Sequence, residues 1–146
     1  MRLSLSIVFC LTLTAPSLWA AEPQPDEKIL SKDVGAVKLH LHAFLPEGHQ
    51  ASDKRPAIVF FFGGGWVGGT PSQFYRQSAH LAERGMAAYC AEYRVRSRNG
   101  TTPFDCVTDG KSAVRYLREH AEELGIDPQR IVAAGGSAGG HVAACT

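Results

Sequence analysis

Residues 131–141 read IVAAGGSAGGH, and the reading of this stretch sets the fold. The four apolar residues Ile131 to Ala134 suit a short strand buried on both faces, as in a parallel sheet covered by helices. Gly135-Gly136-Ser137-Ala138-Gly139 follows, with glycines flanking a serine where a sharp strand-to-helix turn leaves no room for side chains. Such a turn would hold Ser137 in a strained conformation, its hydroxyl above the carboxyl edge of the sheet. The helix beginning behind it would aim its first amides at the same place and favour negative charge there. The pattern alone also fits a glycine-rich turn with a capping serine. Its position between a buried strand and a helix-compatible run makes Ser137 a candidate nucleophile and Gly135 and Gly139 the glycines of its turn.

The chain upstream repeats the same alternation of elements. Ala57 to Phe62 (AIVFFF) is a continuous apolar run, and Ala87 to Tyr93 is a second. Between them Gln73 to Arg84 can form a helix ended by Gly85. A stronger helix is expected from about Asp105 to Leu124, with Val107, Val114, Leu117, Ala121 and Leu124 on one stripe and Gly125 as its cap. Asp127-Pro128 then turns the chain into the strand before Ser137. Strand, helix, strand, helix, strand implies right-handed crossovers and a mostly parallel sheet flanked by helices. Val37 to Leu45 alternates apolar and polar residues, as a half-buried antiparallel strand does. Pro46 to Pro56 is turn-like.

A second constellation closes the first buried strand, Phe62-Gly63-Gly64-Gly65-Trp66. Consecutive glycines let a backbone approach closely and point its amides inward, as stabilising an acyl-transfer oxyanion requires. A plain chain turn and a phosphate-cradling loop are the rivals. Neither G-K-[ST] nor a dinucleotide-type G-x-G-x-x-G follows, which counts against the second.

Composition bounds the rest. The 146 residues allow one domain or part of one, and 45% hydrophobic with 20% charged residues is globular. A net charge of +1, without a Lys/Arg cluster, gives no electrostatic support for a nucleic-acid or anionic-membrane partner. Residues 1–20 read as a secretory signal: Arg2, an apolar run from Leu3 to Ala15, Pro16, and small residues at Ala20-Ala21. That run is short of the ~20 residues of a membrane span. A buried N-terminal helix is the alternative. Loss of Arg2 with the signal would leave the remainder formally neutral, secreted or periplasmic, with no membrane span. Residues 21–33 carry Pro23 and Pro25 and read as a linker, and 34–146 as a partial domain. Cys90, Cys106 and Cys145 are expected as small buried hydrophobes rather than disulfide partners. No metal-ligand spacing is present, and no metal or other cofactor is implied.

The span from about Val34 to Thr146 resembles the hormone-sensitive-lipase-like, acetyl-esterase branch of the α/β hydrolases. The likeness rests on FFFGGGW, AEYRV, DGKSAVRYLREHAEELGIDPQRI and GGSAGGH. It implies the N-terminal half of that fold, stopping after the nucleophile elbow. It further implies hydrolysis of small carboxylic esters, such as acetyl esters of carbohydrates, with Ser137 forming an acyl-enzyme. By match, the amides of Gly64, Gly65 and Ala138 would be the oxyanion donors. Phe62 stands where the family usually has a histidine that braces the glycine loop.

In this fold the triad acid and base follow the serine. Only nine residues do so here. His141 is expected to point away from the ester, and His40 and His42 to share a face at exposed edge positions. His49, His80 and His120 fall on turn or helix surfaces. Arg94 and Asp109 are candidates for an ion pair between strand and helix. The first functional reading is therefore an exported serine esterase acting on a small-molecule or carbohydrate ester. The alternatives are an inactive fragment without acid and base, and an exported peptidase of the prolyl-oligopeptidase type. Oligomeric state is not legible.

Overall fold

The computed structural model describes residues 21–146, so the expected signal over 1–20 lies outside the described residues. Five strands form one sheet in the order β1-β2-β4-β3-β5: β1 Glu27–Val34, β2 Val37–Phe44, β3 Arg55–Phe61, β4 Ala87–Ala91 and β5 Ile126–Gly135. Helices α1 Tyr75–Ala82, α2 Arg96–Asn99, α3 Pro103–Glu119 and α4 Ala138–Ala144 connect or follow them. Pairings β3/β4 and β3/β5 are parallel, with Val59 facing Tyr89 on one side and Ala133 on the other. Pairings β1/β2 and β2/β4 are antiparallel. None of the described helices is long and apolar enough to cross a membrane.

The two apolar runs are buried on both faces because successive side chains alternate across the sheet. Ala57, Val59 and Phe61 pack with Cys106, Val114 and Leu117 of α3 and Val142 of α4. Ile58 and Phe60 pack with Phe74, Tyr75 and Ala82 on the opposite side. Helix α3 ends at Glu119 rather than Leu124 and starts two residues earlier than expected, at Pro103. There Thr102 Oγ1 accepts from the Asp105 amide, and the Asp105 carboxylate accepts from the Thr102 amide.

Part of the expected linker, 21–33, is a strand instead. Glu27–Val34 pairs along β2, turns through Gly35 (φ 67°), and packs Ile29 against the core. Its polar composition belongs to an edge strand rather than to an unstructured segment. This strand adds a second antiparallel pairing, so half of the four pairings are parallel. It also encloses β2, and His42, expected at an exposed edge, is buried. Residues 127–130 bulge out between Ile126 and Ile131, with Asp127 accepting from the Gln129 amide and from Arg130 Nε.

The Arg94–Asp109 ion pair forms, with Nε–Oδ2 at 2.8 Å and Nη2–Oδ1 at 3.0 Å. Asp109 is buried and also accepts from Lys32 Nζ at 2.7 Å and from the Arg94 amide. One carboxylate thus ties α3 to β1 and to the segment after β4. Cys90 and Cys106 are buried and free, as expected, whereas Cys145 is free and only partly buried. Burial pushes the Cys90 thiol up to about 12, which keeps it protonated and inert.

Candidate active site

The turn between β5 and α4 places Ser137 at φ 52° and ψ −119°, outside the regions a serine normally adopts. Two close approaches impose this geometry. A Cβ on Gly139 would stand 2.0 Å from Phe61 O and 2.4 Å from Phe62 O, and one on Gly135 would stand 2.5 Å from Gly139 O. The elbow therefore rests directly on the end of β3. Its first helical turn closes through Gly139 N to Gly136 O (2.8 Å) and His141 N to Ser137 O (3.1 Å). Ser137 is exposed, and its side chain makes no cap bond to α4.

The glycine loop leaves β3 beside this serine. A Cβ on Gly63 would meet Gly136 O at 2.9 Å and Ser137 Cβ at 3.4 Å. Gly64 has φ 142°, and a Cβ there would lie 2.2 Å from Gly68 O, so only glycine fits. Gly65 has φ 62° but faces open space. A turn closes on Gly64 O, which accepts from the amides of Val67 and Gly68 at 3.0 and 3.1 Å. The amides of Gly64, Gly65 and Ala138 donate to no group among the described residues. Two glycine-loop amides and one at the start of α4 thus have no partner among the described residues.

Bracing of the loop comes from contacts that the sequence did not show. Phe62, in place of the family's histidine, is buried and stacks on Tyr93, ring centroids 4.0 Å apart. Tyr93 Oη donates to Phe62 O at 2.5 Å. Burial raises the Tyr93 phenol well above its usual value, so it stays protonated as that donor. Gly63 N donates to Gln73 Oε1 at 2.6 Å. Trp66 O and Val67 O accept from the amides of Arg96 and Ser97, each at 3.0 Å, and Gly69 O accepts from Arg98 Nη2. Such contacts, far apart in sequence and one bond each, leave no periodic trace to read.

None of the six histidines hydrogen-bonds the side chain of Ser137. His40 Nδ1 and His42 Nε2 each lie 3.1 Å from Glu92, and His42 Nδ1 also meets Tyr75 Oη. His49 Nε2 is 2.9 Å from Leu124 O. His80 lies beside Arg84, and His120 stacks on Tyr116. His141 is exposed and set edge-on to Trp66, with centroids 5.5 Å apart.

A sheet of this order, with α1 on one face and α3 and α4 on the other, is that of an α/β hydrolase. Residues 41–146 match the BD-FAE family model, and the chain belongs to that family. Among solved structures it is similar to an esterase of Thermogutta terrifontis with propionate bound. The two are 55% identical at a TM-score of 0.81, over 82% of this chain and 44% of that one. Among curated proteins it is 33% identical over 106 residues to a probable isoprenylcysteine alpha-carbonyl methylesterase of Arabidopsis thaliana. It is 35% identical over 94 residues to the carboxylesterase NlhH of Mycobacterium tuberculosis. Those matches cover 73% and 63% of this chain, and 21% and 28% of the length of the two relatives.

Proposed function

We propose that the protein containing this chain hydrolyses short-chain carboxylic esters, with Ser137 as nucleophile. The observation that carries this is an exposed, strained serine packed against Gly63, the first residue of a glycine loop whose next two amides have no partner among the described residues. Ser137 Oγ attacks the ester carbonyl, and the negative charge on the carbonyl oxygen is held by the amides of Gly64, Gly65 and Ala138. Collapse of that intermediate releases the alcohol and leaves an acyl-serine. Water then attacks the acyl-serine, freeing the acid and restoring Ser137. Both half-reactions need a base to move protons. None of the six histidines hydrogen-bonds the Ser137 hydroxyl, so this reading draws its base from a group other than those contacts hold.

Several facts support the reaction class and acyl size. The relatives are named as esterases, and the Thermogutta protein, 55% identical, has been solved with propionate and with butyrate bound. The acetylated-carbohydrate preference and export are the finer parts of the proposal. Export rests on the signal-like residues 1–20 and is tested by the mature N-terminus, expected at Ala21. An unprocessed Met1 would overturn it.

The test of the activity is hydrolysis of p-nitrophenyl acetate by the longest polypeptide that carries this chain. Turnover is expected to fall about a millionfold in Ser137→Ala. Faster cleavage of peptide p-nitroanilides would favour the peptidase reading. The 146-residue chain alone is expected to be inactive, and Ser137-dependent turnover by it would show that it supplies its own base.

A further inference from the structure

The glycine loop must hold its free amides in one orientation, yet the residues that offer them resist rotation least. Gly63 and Gly64 have no Cβ, so contacts on the Phe62–Gly63 peptide decide how the loop leaves β3 and sets out toward the Gly64 amide. Phe62 cannot hydrogen-bond through its side chain. The contact at the start of the loop is Gly63 N to Gln73 Oε1, at 2.6 Å the shortest of the loop's nitrogen–oxygen anchors.

Gln73 reaches the elbow as well. It lies in the 3₁₀ stretch Pro71–Phe74, whose Phe74 ring stacks on Phe60 at 4.9 Å. A Cβ on Gly136 would meet Phe74 Cζ at 3.3 Å and Gln73 Oε1 at 3.9 Å. The carboxamide therefore sits where the glycine loop, the elbow and the 3₁₀ stretch converge, one residue from Ser137. Gln73 is nonetheless solvent-exposed as a residue, and its Nε2 donates to no described group. Burial does not account for a glutamine at this point. An acceptor for the Gly63 amide does.

We infer that Gln73 is a positioning residue for ester hydrolysis: by accepting from Gly63 N it fixes the Phe62–Gly63 peptide, the point from which the loop carries the Gly64 amide toward the developing oxyanion at Ser137. This rests on the proposed esterase activity. Donors preorganised toward charge that develops in the transition state act mainly on kcat, whereas a group gripping the ground state changes KM. Losing an oxyanion donor outright lowers kcat about 10²–10³-fold. Misaligning one, with the others retained, should fall below that.

The test uses Gln73→Ala and the near-isosteric Gln73→Met in the active esterase polypeptide, with Ser137→Ala as control and p-nitrophenyl acetate as substrate. Both Gln73 variants are expected to lose about 10–100-fold in kcat, with KM within about threefold and Tm within a few degrees of the parent. Inactivation by an aryl phosphonate, which builds the same charged centre on Ser137, should slow by a similar factor. A kcat loss under tenfold in a folded variant overturns the inference, and so does a loss confined to KM. If the parent shows no turnover, or Ser137→Ala keeps it, the esterase reading has failed instead. Gln73→Met covers the case in which Gln73→Ala does not fold.

Discussion

Ser137, Gly65 and Gly139 each occupy conformations or contacts that few side chains tolerate, and the reasons differ. At Gly139 the obstacle is packing, since any Cβ would overlap the carbonyls of Phe61 and Phe62 at the end of β3. At Gly65 it is conformation alone, for φ is 62° and the space is open. The left-handed region costs a non-glycine residue ~1–2 kcal/mol. A backbone overlap with two carbonyls requires β3 or the elbow to shift, an overpacking penalty of ~3 kcal/mol or more that also misplaces Ser137. Gly65→Ala should therefore fold with Tm lowered by a few degrees, whereas Gly139→Ala should lose most of its folded yield. Thermal unfolding of the two variants checks this, and the reverse order of damage would refute the packing account. The elbow was legible because its demand for glycine is written as G-x-S-x-G. The bracing by Gln73 and Tyr93 was not, because a single bond across the fold places no constraint on neighbouring residues.

At the scale of elements, the parallel half of the sheet was legible from its apolar runs and β2 from its alternation, whereas the edge strand β1 was not. β1 reads as a linker because an edge strand with one solvated side can be almost wholly polar. Its presence changes the setting of β2, placing His42 between sheet and α1. The consequence is a partly buried polar link, Tyr75 to His42 to Glu92, with His40 as a fourth member. Burial acts to raise the Glu92 carboxyl. The hydrogen bonds from the His42 ring and from the amide and ring of His40 outweigh it and hold the group at about 2 against an ordinary 4.5. A carboxyl depressed on folding stabilises the fold above its unfolded value, and that contribution fades as pH falls through the folded one. Glu92→Gln should therefore cost stability at pH 6, and the gap from the parent should narrow between pH 4.5 and 2. Urea unfolding of both proteins across that window tests it. A gap independent of pH would mean that Glu92 acts through packing alone.

Over the whole molecule, the two margins of the sheet differ in kind. β1 carries Lys28, Lys32 and Asp33 and shifts register between Leu30 and Lys32, features that discourage pairing with another chain. β5 has none of these along Ile131 to Gly135, yet it pairs only with β3. Its residues read as an interior strand, and on the α1 side of the sheet Val132, the neighbour of Ile58, is 49% exposed. A run of small and β-branched residues with unpaired amides is a template for another strand. For the 146-residue chain on its own we therefore expect concentration-dependent association through β5. Val132→Lys puts a charge on that strand without touching β3's other partner, β4, and should shift the population toward monomer. Light scattering across a concentration series distinguishes the outcomes. A parent chain monomeric at high concentration would show that β5 is protected by something other than pairing. Association unchanged by Val132→Lys would move the contact elsewhere, with the apolar surface around Phe60, His80 and Leu81 on the same face as the next place to substitute.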